Sequence, residues 1–214
     1  SYEAVSKFSE KDSRIEVYRK DNGGLSDARN FGLKHVKGKY ICFVDSDDWV
    51  SENHVEVLKN LLGEDDDISC AGFDIHYDNE SLPSRYPMGN VTLSASEAMV
   101  ELCRVTWLPN TACGKLYRAE LFDGIFFKKG RVHEDVEILH HLFSKARNIS
   151  CASSVVYHYY MRSDSIMHQD TSKRRMDFFL SYFERYNYLE NETAKRYTLK
   201  FCIDGSYRIL YLSD

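Results

Sequence analysis

Long apolar runs are missing from this sequence. No stretch approaches the roughly 18 to 20 apolar residues that a helix needs to cross a bilayer, which excludes a membrane-spanning helix within these 214 residues. A concentrated basic stripe is missing too. The net charge is −5, from 28 Lys and Arg against 33 Asp and Glu, whereas a surface that neutralises nucleic-acid phosphates needs a clustered positive excess. The cysteines at 42, 70, 103, 113, 151 and 202 form no CxxC pair, and several lie inside apolar runs such as "YICFV", "ISCAGF" and "NISCAS". That pattern fits buried reduced thiols in a cytoplasmic protein, not a disulfide framework or a zinc site. Internal repeats and low-complexity linkers are absent. No methionine opens the chain, and "SYEAVSKFSEKDSRIEVYRK" reads as the end of a helix feeding a strand, so the natural protein is expected to begin earlier. What is present is 43% hydrophobic and 29% charged residues, the balance of a globular protein with one main core.

Strand and helix signals alternate through the first half. "RIEVYR" is expected as a strand. "SDARNFGLKHV" places Ala28, Phe31, Leu33 and Val36 at near-helical spacing, with Ser26 positioned as its cap. "YICFV" is a short apolar run of the kind buried on both faces of a sheet; "SENHVEVLKNLL" is an amphipathic helix and "DISCAGFDIHY" a further strand. This alternation predicts an α/β fold with a mixed, mostly parallel sheet flanked by helices. In the second half, "SASEAMVELC" reads as a helix capped by Ser94 or Ser96, and "VHEDVEILHHLFSKA" as a helix with an acidic pair at its start. "NISCA" and "VVYHYYM" read as strands, "RSDSIMHQD" as a loop, and residues beyond 171 as helical.

"YICFVDSDDWV" runs an apolar strand into Asp45, Asp47 and Asp48. Three carboxylates so close repel one another, and desolvating each costs several kcal/mol, so a positive partner is required; a divalent cation is the expected occupant. Ligands of such sheets collect beyond the carboxyl ends of the strands, where this cluster lies. A calcium loop does not explain it. Counted from Asp45, Val50 falls where an EF-hand requires glycine. Asp48 reads either as a metal contact or as the N-terminal cap of the helix that follows.

"NGGLSDARNFGLKHVKGKYICFVDSDDWV", with "KLY" at 115–117, "HED" at 133–135 and "YYMRSDSIM" at 159–167 in the same order, resembles family 2 glycosyltransferases, which have the Rossmann-like GT-A fold. The resemblance implies a GT-A catalytic domain over 1–168, lacking the family's first strand-helix-strand unit, and a C-terminal helical extension over 169–214. It implies that Asp45 and Asp47 hold Mn²⁺ or Mg²⁺ and the donor diphosphate, as hard oxygen ligands suit those ions. Arg29, Asn30, Gly23 and Gly24 are implied to line the donor pocket, Arg162 to steady the leaving diphosphate, and His168 to act as a further metal or diphosphate ligand. Asp135 is implied as the base that deprotonates the acceptor hydroxyl, with Glu134 beside it.

The activity implied is inverting, metal-dependent transfer from a nucleotide-diphosphate sugar, of UDP type, to a glycan or lipid-linked acceptor in polysaccharide synthesis. Two other classes stay open: a sugar nucleotidyltransferase, and a non-catalytic interaction module built on a truncated transferase. Lys115 reads either as facing the acceptor cleft or as pairing with an acidic neighbour. His133, His140, His141 and His158 read as packing or surface residues. Phe178, Phe179, Tyr182, Phe183 and Tyr186 form one helical face beside Lys173, Arg174 and Arg175. That face implies either core or homodimer packing, or peripheral contact with the inner face of the cell membrane.

Overall fold

Alternation of apolar runs with amphipathic segments gives this chain one sheet with helices laid against it. The computed structural model describes residues 2–77, 81–85, 89–161 and 171–211. Its strands are β1 (Tyr40–Cys42), β2 (Trp49–Val50), β3 (Asp66–His76), β4 (Ser81–Arg85), β5 (Val91–Ser94), β6 (Lys115–Arg118) and β7 (Asn148–Tyr160). Its helices are α1 (Tyr2–Ser9), α2 (Leu25–Leu33), α3 (His54–Leu61), α4 (Ala95–Arg104), α5 (Glu134–Lys145), α6 (Ser172–Tyr188) and α7 (Glu192–Tyr211).

The strands form a single sheet in the order β1-β6-β3-β7-β2, with β4 added on β3 and β5 on β7. The sheet is mixed, as expected, but less parallel than the alternation implied. Among the described strands only β3 and β7 run parallel; the pairs β1–β6, β2–β7, β3–β4, β3–β6 and β5–β7 are antiparallel. The first seven residues of β3 are buried, the condition of a strand covered on both faces.

Several local expectations change. "RIEVYR" forms no ladder; residues 15–20 lie outside helix and strand, since no described strand pairs with them. β1 ends at Cys42, and Phe43 instead packs edge-on against Phe122 and Phe127, at 5.8 and 5.5 Å between ring centroids. The two expected strands at 148–161 are one. β7 passes through Ser153 and Ser154 by register shifts against β3, and the Ser153 N–H is taken by the Asn90 side chain at 3.1 Å. Such bulges re-aim side chains beside binding sites. Ser26 does not cap α2: Gly24, at φ 83°, holds that position without a side-chain bond, and Ser26 is buried inside the first turn. Ser94 does cap α4, in a reciprocal pair with Glu97.

The main core gathers Ile68, Leu102, Tyr117, Leu139, Phe143 and Ile149 between the sheet and helices α4 and α5. Leu189 and Ala194 belong to the same core, so the C-terminal helices are packed onto it. Phe178, Phe179, Tyr182 and Tyr186 meet Phe201, Cys202 and Val136 in a second cluster, while Phe183 stays exposed. α6 and α7 approach closely at Gly205, where an added Cβ would lie 3.0 Å from the Phe179 backbone. The basic triplet is engaged internally. Lys173 pairs with Asp177 at 2.6 Å, Arg175 is buried, and both Arg174 and Arg175 have partners. All six cysteines are free thiols, and no described helix is long and apolar enough to cross a membrane.

Candidate functional site

A cavity of about 450 Å³ opens where the carboxyl ends of β3 and β7 meet the starts of α2 and α5. Phe73, Ile75, Tyr157, Tyr159 and Met161 give it an apolar wall. Its polar floor is built around one residue. α2 turns Arg29 inward until it is only 7% exposed, and the guanidinium lies over the faces of Phe43 and Phe127 at 5.8 and 5.2 Å. From there Nη1 donates to Glu134 at 3.0 Å and to Asp135 at 2.5 Å, and Nη2 donates to Asp45 at 2.9 Å. One cation therefore ties the acidic turn after β1 to the acidic start of α5.

Glu134 and Asp135 occupy the first turn of α5, where the helix dipole favours negative charge. The second oxygen of Asp135 accepts the Ala112 N–H at 2.9 Å. Burial is the main influence on both carboxyls. It pushes Glu134 up to about 7, with Asp135 adding to the shift, and it raises Asp135, although Arg29 and the Ala112 amide pull the other way. Burial also opposes the charge on Arg29, but Asp135 and Asp45 outweigh it and hold that group above its ordinary value. Three carboxylates sharing one guanidinium leave the floor with a negative surplus.

In the acidic turn, the Asp48 N–H bonds the Asp45 carbonyl at 3.1 Å. The Tyr157 hydroxyl accepts the Asp45 N–H at 3.2 Å and donates to the Asp48 carboxylate. The other Asp48 oxygen accepts the Tyr160 N–H at 2.9 Å. Asp48 is thus neither a helix cap, since Asn53 holds that position on α3, nor an open carboxylate; it fastens the turn to β7. Asp47 is exposed at the tip. Asp45 and Asp47 carry the hard oxygen donors that Mg²⁺ or Mn²⁺ prefers, so their chemistry fits such an ion, which would share Asp45 with Arg29, whose Nη2 lies 2.9 and 3.2 Å from its two oxygens.

The other expected site residues fall differently. Asn30 is buried and holds the Phe127 backbone from both sides, at 2.7 and 2.9 Å, so its amide braces the floor from behind. Gly23 and Gly24 are exposed and outside the cavity wall. A Cβ at Gly23 would collide with the Asp27 carboxylate, a local reason for glycine. Lys115 neither faces the cleft nor pairs with a carboxylate. It is 1% exposed and donates to the Pro109 and Thr111 carbonyls at 3.0 and 2.6 Å, holding the loop that supplies the Ala112 N–H; burial lowers its pKa. Arg162 and His168 lie outside the described residues. Sequence reasoning missed Tyr157 and the loop 109–113. The loop's signal was "WLPNTACG", a proline and small residues just before a strand; Tyr157 carried none beyond its place in a strand.

Comparison with known proteins places these features in context. The family model described as Glycosyl transferase family 2 matches residues 1–126. The chain is 31% identical to Glycosyltransferase GlyA of Streptococcus pneumoniae over 81% of its own length and 26% of that protein's. It is 29% identical to the cholesterol galactosyltransferase of Borreliella burgdorferi over 99% of its length and 64% of that protein's. Among solved structures, S. aureus TarS 1-349 in complex with UDP-GlcNAc superposes with a TM-score of 0.70 at 18% identity, covering 99% of this chain and 60% of that one. The GT-A fold is therefore shared, and the chain spans between about a quarter and two thirds of the length of these proteins.

Proposed function

This chain belongs to glycosyl transferase family 2, and on that premise we propose that it transfers a sugar from a nucleotide-diphosphate donor, of UDP type, to a hydroxyl of a glycan or lipid-linked acceptor, with inversion. The observation that carries this reading is the convergence of Asp45, Glu134 and Asp135 on Arg29 beside one cavity. A donor diphosphate held at the acidic turn and an acceptor resting on the apolar wall would meet over that floor. Support for a nucleotide-sugar donor comes from TarS, solved with UDP-GlcNAc. A relative named for minor teichoic acid biosynthesis, GgaB of Bacillus subtilis, at 27% identity, supports a role in surface-polymer synthesis.

In the proposed step the acceptor oxygen bonds to the anomeric carbon while the bond from that carbon to the diphosphate oxygen breaks. Asp135 takes the hydroxyl proton. Each of its oxygens accepts one hydrogen bond, from Arg29 or Ala112, which fixes the carboxylate and leaves a lone pair on each. Glu134 shares the guanidinium and keeps that cation paired when Asp135 becomes neutral on protonation. Asp45 and Asp47 would hold Mn²⁺ or Mg²⁺, which supplies charge to the departing diphosphate; Arg162 and His168 are the proposed partners of that diphosphate beyond the described residues. Division of the chain into a catalytic unit, 1–168, and a helical extension, 169–214, and work on the cytoplasmic side belong to the same proposal.

The test is Asp135→Asn in the intact protein. It should bind the donor normally and lose roughly 10²- to 10⁴-fold in transfer rate, because the amide keeps the shape but cannot take the proton. Weakened donor binding with a near-normal maximal rate would give Asp135 a binding role instead. Pyrophosphate release in the same assay would replace the reading with nucleotidyl transfer, and inactivity of the intact wild-type protein towards every nucleotide sugar would replace it with an interaction module.

A further inference from the structure

Strands β3 and β7 present alternate residues to opposite faces. Phe73, Ile75, Tyr157 and Tyr159 line the cavity; Asp74, His76 and His158, which lie between and beside them in sequence, project from the other face. There a carboxylate oxygen of Asp74 and a ring nitrogen of each histidine all lie within 4.8 Å of one another. The register enforces the meeting, because Asp74 stands opposite His158 across β3 and β7, and Trp49 stands opposite His158 across β2 and β7.

The details of the two rings fit metal ligation. His76 Nε2 lies 3.1 Å from His158 Nδ1, close to the separation of about 3.3 Å for two nitrogens bound at about 2.0 to 2.1 Å to one tetrahedral zinc. The far nitrogen of His158, Nε2, lies 3.1 Å from the Ser51 hydroxyl. An N–H donated there leaves the Nδ1 lone pair aimed at His76, the outer-partner arrangement that orients metal-binding histidines. Trp49 stacks on His158 at 5.4 Å and 11° and tilts over His76 at 4.6 Å, so an apolar plate holds both rings in place.

We infer that Asp74, His76 and His158 form a site for Zn²⁺ or a similar imidazole-seeking divalent ion, distinct from the acidic turn, with water completing the coordination. Ligand chemistry keeps the two sites apart: imidazole suits zinc, copper or nickel, whereas the all-carboxylate turn suits magnesium or manganese. The ion competes for the Asp74 carboxylate with the group that already interacts with it. Once bound, it ties β3 to β7 beneath Trp49 of β2, the strand that follows the turn carrying Asp45, Asp47 and Asp48. Nothing in this site depends on the transfer reaction.

Zn²⁺ alone, without nucleotide, titrated calorimetrically into the whole chain at neutral pH should bind with one-to-one stoichiometry. Replacement of either ring by His76→Gln or His158→Gln should weaken binding at least about 100-fold, and Ser51→Ala should weaken it by roughly 10-fold; Asp47→Ala should leave it unchanged. Zinc-edge X-ray absorption on the unaltered protein should show two imidazole nitrogens with oxygen ligands, a readout that survives even if a histidine variant fails to fold. Lack of stoichiometric binding, binding lost in Asp47→Ala but kept in His76→Gln, or an absorption spectrum without imidazole would each overturn the assignment.

Discussion

Arg29 carries more of this site than any other single side chain. Replaced by methionine, it leaves Asp45, Glu134 and Asp135 facing one another with no cation among them. Breaking a buried ion pair from one side costs about 3–5 kcal/mol, and Arg29→Met should destabilise the chain by that amount in urea unfolding at neutral pH without divalent ions. Arg29→Lys keeps the charge but loses the fork that reaches three partners, so an intermediate loss is expected. A loss under about 1 kcal/mol for the methionine variant, the range of an exposed ion pair, would remove Arg29 from this role. Little of this was legible in the sequence. Asp45 and Asp47 stood out because a strand ended on them, and Glu134 and Asp135 because a helix began there. The partners of Arg29 lie 16, 105 and 106 positions away, and no spacing rule reaches so far. The same distance hid the bonds of Tyr157 to the acidic turn, whereas Lys115, read as facing the cleft or pairing with an acidic neighbour, is a buried brace whose carbonyl partners lie only 4 and 6 positions away.

At the scale of elements, α6 and α7 show where pattern reading stops. The aromatic face of α6 was plain at helical spacing, and it does pack inside the protein. What it packs against, and how closely, is decided by Gly205. Glycine within a helix costs about 1 kcal/mol relative to alanine, so Gly205→Ala gains that much in propensity. The new Cβ would stand 3.0 Å from the Phe179 backbone and 3.2 Å from the Phe178 ring, and forcing two helices apart costs about 1–3 kcal/mol. The clash should win, and the thermal midpoint should fall; a higher midpoint would mean that the helices separate freely. β7 shows the converse limit. Ser153 and Ser154 broke its apolar run and split it into two expected strands, because a bulge braced by Asn90 lies beyond any period-two pattern.

For the molecule as a whole, buried titratable groups pull stability in opposite directions with pH. Burial pushes His133 down to about 4 and His140 to about 2, below the value near 6.5 of an unfolded chain. The unfolded state therefore takes up protons that the fold refuses. Their contribution is complete above about pH 6.5 and falls away as pH drops, by about 1.4 kcal/mol per unit for each histidine over its window. Glu134 acts oppositely: raised from 4.5 to about 7 by burial, it takes its proton earlier in the fold, so stability rises as pH falls between those values. Unfolding free energy from urea titrations should thus fall by about 1.4 kcal/mol per unit from about pH 6.5 to 4.5, where two histidines outweigh one carboxyl, and about twice as steeply from about 4.5 to 4. Glu134→Gln should about double the slope between about pH 6.5 and 4.5, and His140→Phe should make the fall below about 4 shallower. Indifference of the pH profile to both changes would show that other groups set it.

The parallel pairing of β3 with β7 has one more consequence. Asp66 lies beside Asn148 and His76 beside Tyr160, so the ladder joins segments separated by β4, β5, α4, β6 and α5. Closing so long a loop loses chain entropy before any contact compensates it, and parallel pairings of high contact order form slowly for that reason. The apolar wall of the cavity is made on one face of this ladder and the histidine cluster on the other, so neither exists in a partly folded chain. Both surfaces depend on the same long-range pairing, and a fragment that stops short of β7 can have neither.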